Sequence, residues 1–466
     1  MSAKKKETSL LILLFLIGSA LYLSLIFNNN LWLDEAFSAA LVRQDYAGVL
    51  KASANDTLPP LYNLLNKTMT VLFGFHPYIM KLNSVVPMIL TMLLAICFVR
   101  RYFGTLVCAI YLICLSGMPC LLYYGVEIRM YSWGLFFVTA GGIFAYDVYM
   151  SNRKLSWCLF ILFSVGAGYT HHFAFVSIGF VYLFLLTAFV LSDRKRVLHW
   201  IYGLIATMIL YFPCLLTTLK QMQKVSGYFS MPDITPSFLF KCLRYPFVTE
   251  FTPLSVLLLA VFLILPAALV FKSRSVKCLL PGILGPAVYL GTLAFGAAAS
   301  LFLASNIFSD RYLVPSLGLF WLGFAVFCKD IGQKAIPLVF LLLTLVTVKS
   351  YTAQFSLEYK SGAEDMIDYF HANVAEDDGY LIYEDNYQIE ICFRYYFPEL
   401  KKYDWDSVAE IKGNIWYLEV PGYEKERFKA QSYGYDVESK GDFSFDRYTF
   451  HLYRLKKADS ASDIIE

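Results

Sequence analysis

Eleven apolar runs, spaced along the chain by short polar segments that are alternately basic and non-basic, constrain this sequence to a polytopic membrane protein. They lie near residues 9–27, 79–99, 103–122, 131–150, 155–170, 172–192, 197–215, 253–272, 278–299, 312–328 and 335–350. A helix needs only about 17 to 25 apolar residues to cross a bilayer. Because lipid offers no partner to a backbone amide, each run must close its own hydrogen bonds as a helix.

The basic residues act as a topology signal, since Lys and Arg gather in the loops that stay on the cytoplasmic side. Arg100-Arg101, Arg153-Lys154, Arg194-Lys195-Arg196, Lys272/Arg274/Lys277 and Lys329/Lys334 fall on the same side as Lys4-Lys5-Lys6 without an exception. The expected localisation is therefore the cell membrane, multi-pass, with the N-terminus cytoplasmic. The opposite face carries 28–78, the turns at 124–130 and 169–172, a loop from about Thr217 to Phe251, the turn at 304–311 and the polar tail beyond 350. The first run follows lysines but has no convincing small-residue cleavage site, so it reads as a retained signal anchor.

At 58% hydrophobic, 17% aromatic and 16% charged, the chain is far more apolar than a soluble domain needs to be. A net charge of +3, with basic residues scattered in short clusters, gives no basic face for nucleic acid. The ten cysteines lie mostly inside apolar runs, and Cys392 stands alone in the polar tail, so neither a disulfide framework nor a zinc site is expected.

Two segments off the spans have helical periodicity, Glu35–Arg43 and Pro60–Phe73, the latter with Pro60 at a first helical position and Gly74 at the stop. They suit helices lying in the membrane plane or the packed ends of spans. In the tail, Gly362–Val374, Tyr387–Tyr396 and Glu424–Tyr433 read as helices, and Tyr380–Tyr383, Asn414–Val420 and Tyr448–Leu455 as strands. That alternation fits a small α/β domain.

Asp34 and Glu35 follow the first apolar run directly, where ionised groups are poorly solvated and costly. Asp34 is a candidate catalytic base. A carboxylate there could equally cap a helix starting at Glu35, and the two roles are compatible. The motifs LWLDEAFSAALVR, TLPPLYNLLNKTMTVLFG, YYGVEIRMYSWGLF, GYTHHFAFVSI and SDRYLVPSLGLF occur in this order on the expected outer face.

That series resembles the bacterial GT-C glycosyltransferases related to protein O-mannosyltransferases and lipid A aminoarabinose transferases, whose pattern runs W-x-D-E-A, H-P-P-L-Y, E-A-R-M-Y, Y-T-H-Y and R-Y-L-x-P. Two positions depart from it: Leu58 replaces the usual His, with Asp56 two residues upstream, and Ile128 replaces Ala. The resemblance implies an α-helical polytopic GT-C-like fold with about 11 transmembrane helices, a catalytic domain at 1–350 that includes the first outer loop 28–78, and a small extracytoplasmic α/β domain at 351–466.

The activity it implies is transfer of a sugar from a polyprenyl-phosphate-linked donor to an acceptor hydroxyl (glycan, lipid or protein) by inverting displacement. Asp34 would be the base, with Glu35 orienting it or binding acceptor. Arg129 and Arg311 would hold the donor phosphate, since a guanidinium fork grips phosphate oxygens bidentately, and Tyr131 would assist them. Either arginine could instead be an interfacial anchor or the partner of a neighbouring acid, Glu127 or Asp310. Glu127 could fix Arg129 or bind a divalent metal; no metal site is expected and no cofactor is required. His171 and His172 could contact phosphate or acceptor, or be structural, and Tyr62 and Tyr124 could stack on a sugar or serve the interfacial aromatic belt. Lys220, Lys224 and Tyr228 lie in a loop resembling the family's mobile donor loop. A transporter of lipid-linked glycans should carry mid-span ionisable residues and repeated halves; the spans are almost free of charge and no repeat is visible. A non-catalytic scaffold is the other rival.

Overall fold

The computed structural model describes residues 3–225, 232–247, 276–303, 306–329, 334–382, 386–420 and 434–457. In chain order its helices are α1 (Ala3–Leu23), α2 (Leu33–Leu41), α3 (Tyr46–Asn55), α4 (Leu61–Phe73), α5 (Pro77–Leu94), α6 (Arg100–Phe103), α7 (Thr105–Gly117), α8 (Pro119–Val126) and α9 (Tyr131–Ser151). They continue with α10 (Lys154–Thr170), α11 (His172–Ser192), α12 (Val197–Val225), α13 (Pro236–Arg244), α14 (Val276–Phe302), α15 (Val314–Cys328), α16 (Ile336–Tyr359), α17 (Ala363–Asn373) and α18 (Tyr387–Tyr396). The chain forms two compact units: Met1–Ile26 with Val42–Gln354, and Phe27–Leu41 with Phe355–Glu466.

Among the described residues of the chain, eight helices are long and apolar enough to cross a membrane. The expected span at 103–122 is the pair α7 and α8, bent by 60°, where Pro119 opens the second helix and cannot continue the hydrogen-bond ladder of the first. That at 155–170 is the shorter apolar helix α10. The run at 253–272, like the expected helix Glu424–Tyr433, lies outside the described residues. The Thr217–Phe251 stretch is not a plain loop: α12 runs on to Val225, taking Lys220 and Lys224 with it, and α13 follows. Tyr228 lies outside the described residues.

In the first unit α9 is the hub, packing against α5, α10, α11 and α15. Small residues allow this, because helices in lipid gain from close van der Waals approach rather than from hydrophobic expulsion. A Cβ on Gly142 would meet Leu319 Cδ2 at 2.5 Å, and one on Gly318 would collide with Thr139 Oγ1. Substitution at either would separate α9 from α15.

The second unit is built on a five-stranded sheet of order β2-β1-β3-β5-β4, with β1 (Gly379–Ile382), β2 (Lys401–Lys402), β3 (Ile415–Glu419), β4 (Tyr435–Phe445) and β5 (Tyr448–Lys457). β2, β1 and β3 are parallel and β5 and β4 add antiparallel. Phe370 of α17 and Phe393 of α18 pack with ring centroids 5.0 Å apart, and Phe393 lies 4.8 Å from Tyr380 of β1. The opposite face buries Leu381, Ile415, Tyr417, Tyr453 and Leu455. Asp378, before β1, accepts from the Trp416 indole at 2.9 Å and the Asn414 amide at 2.6 Å, pinning the starts of β1 and β3.

Residues 27–41 are tied into this unit by specific bonds. The Leu31 amide donates to the Tyr396 hydroxyl at 2.9 Å, that hydroxyl donates to the Asn29 carbonyl at 2.8 Å, and the Asp446 amide donates to Asn30 Oδ1 at 2.6 Å. Helix α2 packs on α18.

Candidate functional site

The buried break between α8 and α9 carries the E-x-R motif. Glu127 is extended, at φ −64° and ψ 138°, which stops α8, and the Arg129 amide turns back to the Glu127 carbonyl at 2.6 Å. Glu127 and Arg129 are 4% and 8% exposed. Two ionisable residues held this far from water are retained only where something repays their desolvation.

Tyr131 opens α9 and is fully buried; among the described residues its hydroxyl has no hydrogen-bond partner. Arg311, Arg129 and Glu127 all act on it electrostatically. Its ring lies 4.9 Å from Tyr124 and 5.6 Å from His171, and His171 lies 5.1 Å from Tyr312. The Arg311 guanidinium sits 5.9 Å over the Tyr312 ring. Two cations from hairpins far apart in sequence thus converge on one group of rings.

His171 caps α11, its Nδ1 accepting from the Phe173 amide at 3.1 Å. The neutral ring must therefore carry its proton on Nε2. Burial pushes this imidazole well below its ordinary range, and His172, Arg129 and Arg311 push it the same way, so at neutral pH it is an uncharged N–H donor.

Tyr62 of α4 contacts the Ser84 hydroxyl of α5 at 3.3 Å, and Ser84 reaches the Arg129 carbonyl at 3.5 Å. Lys81, one helical turn before Ser84, is completely buried. Lys241 of α13 holds Asp310 Oδ2 at 2.7 Å, and Asp310 Oδ1 accepts from the Arg311 backbone amide at 3.1 Å.

His172 Nε2 lies 3.0 Å from the Thr57 carbonyl, while Gln221 of α12 donates to the carbonyls of Ser53 at 2.9 Å and Leu58 at 3.2 Å. Beside them is a mostly apolar cavity of about 290 Å³, bounded among others by His171, Phe175, Tyr211, Phe295 and Tyr312. His171 and Tyr312 are therefore common to the cavity and to the arginine group.

In the second unit, helix α2 begins at Leu33, so Asp34 lies inside its first turn, and Glu35 Oε2 accepts from the Trp32 amide at 3.3 Å. Asp34 is half-buried, and both carboxylates act electrostatically on Cys392 of α18.

Of the residues singled out from sequence, Arg129, Arg311, Tyr131, Glu127 and His171 form one group, with Tyr62 joined to it through Ser84. His172 faces the neighbouring cavity and Asp310 pairs with Lys241. Sequence reading missed Lys81, Ser84, Lys241, Tyr312 and Gln221; only Lys81, a lone cation inside an apolar run, carried a signal. Among the described residues no three His, Cys, Asp or Glu side chains are grouped as metal ligands would be.

No protein-family model matches this sequence, and no curated protein matches it. Solved structures do. ArnT from Cupriavidus metallidurans in the apo state superposes with a TM-score of 0.66 at 10% identity, over 98% of this chain and 99% of that one. The same protein bound to undecaprenyl phosphate gives 0.62 at 12% identity, over 98% and 100%. The chain is thus a multi-pass membrane protein with the fold of ArnT.

Proposed function

We propose that the protein is a membrane glycosyltransferase that moves a sugar from a polyprenyl-phosphate donor to an acceptor hydroxyl at the outer face, with its N-terminus cytoplasmic and the second unit extracytoplasmic. The observation that supports this best is the convergence of Arg129 and Arg311 on the buried Tyr131 hydroxyl and on His171. A departing lipid phosphate gains charge as the glycosidic bond breaks. Preorganised guanidinium forks, the Tyr131 O–H and the His171 Nε2–H stabilise that charge without reorganisation. Lys81, buried on the α5 face that bears Ser84, supplies a third cation. That the ArnT structure of like fold was solved with undecaprenyl phosphate agrees with a lipid-linked donor.

Asp34 is the base. Its carboxylate takes the acceptor proton as the oxygen attacks the anomeric carbon and the C–O bond to phosphate breaks, so polyprenyl phosphate leaves and the anomer inverts. Glu35 fixes the turn that presents it. The test is Asp34→Asn in the full chain: turnover should fall about 10²- to 10⁴-fold with donor affinity kept. Unchanged turnover would overturn Asp34 as the base, and no turnover by the unaltered chain would leave a transporter or scaffold as the better description.

A further inference from the structure

The β4–β5 hairpin of the second unit carries three polar side chains in one hydrogen-bonded line. Ser439 Oγ lies 2.8 Å from His451 Nε2, and His451 Nδ1 lies 2.7 Å from Asp442 Oδ1. An ionised carboxylate only accepts, so the Nδ1 proton goes to Asp442. Nε2 of the neutral ring is then an acceptor, and the Ser439 hydroxyl donates to it. Serine to imidazole to carboxylate, with the protons in that order, is the arrangement that makes a hydroxyl nucleophilic.

An irregularity of the strand creates the line. Ser439 pairs with Tyr453 and Asp442 with His451, with a register shift between Ser439 and Gly441. In an unbroken ladder Gly441 would face His451, and Asp442 would fall opposite Phe450, on the other side of the sheet. The extra residue Lys440, with Gly441 at φ 115°, brings the carboxylate back to the face of the imidazole. Bulges re-aim side chains in this way beside active sites. From the other neighbouring strand, Glu419 of β3 is in register with His451; it is 8% exposed, and its Oε1 has no hydrogen-bond partner among the described residues. Two carboxylates therefore share a face with the imidazole, and both favour the imidazolium that proton transfer from serine creates. The buried Tyr453 ring, 4.4 Å from the imidazole, gives the site an apolar flank, whereas Ser439 itself is exposed.

We infer that Ser439, His451 and Asp442 form an acyl-transfer site that hydrolyses small esters presented to the second unit, such as an O-acetyl group on a larger molecule. Ser439 Oγ attacks the ester carbonyl carbon while its proton passes to His451 Nε2. The C–O bond to the alcohol breaks, and the alcohol leaves with that proton. Water, losing a proton to Nε2, then attacks the acyl-serine; the carboxylic acid departs and Ser439 regains its proton. Asp442 is a positioning residue that fixes the tautomer of the ring. The open position of Ser439 suits a small acyl group and leaves the alcohol part unconstrained. The inference does not depend on the donor reading above, because every residue it uses belongs to the second unit.

The test is a fluorophosphonate probe, together with p-nitrophenyl acetate, on the full chain in lipid nanodiscs. Peptide mass spectrometry should find the phosphonate on Ser439, and p-nitrophenol release should fall about 10²-fold in Ser439→Ala and in His451→Gln. Asp442→Asn should lower kcat by about tenfold or more with KM kept, a split that loss of hairpin structure alone would not produce. Near-ultraviolet circular dichroism identifies the folded variants, and labelling of the unaltered chain decides the matter where a variant does not fold. No phosphonate on Ser439 of the unaltered chain, or undiminished p-nitrophenol release from folded Ser439→Ala, overturns the inference.

Discussion

Helix α9 carries an ionic arrangement at each end, and the two are built on opposite plans. Near its C-terminus Asp147 is buried, but an arginine and two hydroxyls are brought to it: Arg153 at 3.1 Å and the Tyr102 and Ser156 side chains by hydrogen bond. That end cancels charge locally and asks nothing of a ligand. Near its N-terminus two guanidinium groups act on the same tyrosine and the same histidine, and among the described residues the Tyr131 hydroxyl has no hydrogen-bond partner. A buried ion is thus no evidence of function by itself; the direction in which its neighbours' hydrogen bonds point separates an anchor from a site.

The comparison breaks most sharply under substitution at the two ends. Arg129→Ala or Arg311→Ala should lower turnover about 10²- to 10³-fold, the scale for removing one preorganised charge-stabilising donor, with melting temperature little changed. Assays of sugar transfer and thermal unfolding on the same preparation check this. Asp147→Ala should do the reverse. It strands Arg153 and two hydroxyls, costs about 1–3 kcal/mol of stability, and leaves the specific activity of the folded fraction intact.

A finer contrast lies in Tyr131→Phe. Removing a buried hydroxyl that has no partner should leave stability equal or slightly higher, while donor affinity falls by about five- to tenfold, or roughly 1 kcal/mol. The same substitution at Tyr102 deletes a bond to Asp147 and should lower stability without touching affinity.

The smallest effect belongs to the second unit, which serves as a control. Burial raises the Asp378 carboxyl, but the Trp416 indole and the Ala375 and Asn414 groups outweigh it and hold it below the ordinary carboxylate range. Its stabilising share is therefore full above the unfolded value of about 3.9 and is lost as pH falls through the lower folded value. Near-ultraviolet circular dichroism of the full chain should show this loss below about pH 4, and Asp378→Asn should remove the pH dependence attributable to that group.

What the sequence disclosed follows from the range of the interactions. The apolar runs, the Gly74 stop of α4 at φ 98° and the tail helix Tyr387–Tyr396 are local and were readable. Strand β4 was not, because Gly441, at φ 115°, shifts its register and breaks the alternation a half-buried strand normally shows. Lys81 is drowned in the hydropathy of its span. Helix α2 begins at Leu33, two residues earlier than its apolar pattern suggests, with Glu35 reaching back to the Trp32 amide. The pairing of residues 27–41 with a unit more than three hundred positions away rests on bonds such as Leu31 to Tyr396, and nothing in the local sequence announces it. The motif arginines were legible as residues; that they share Tyr131 and His171 as neighbours was not.

The most direct measurement is release of free polyprenyl phosphate by the purified protein, given a panel of polyprenyl-phosphate sugars with and without membrane extract as acceptor source. The account predicts release that depends on added acceptor with at least one of these donors, and its loss in Arg129→Ala and Asp34→Asn. Acceptor-dependent release that persists undiminished in both variants would contradict it, as would no release from any sugar in the panel.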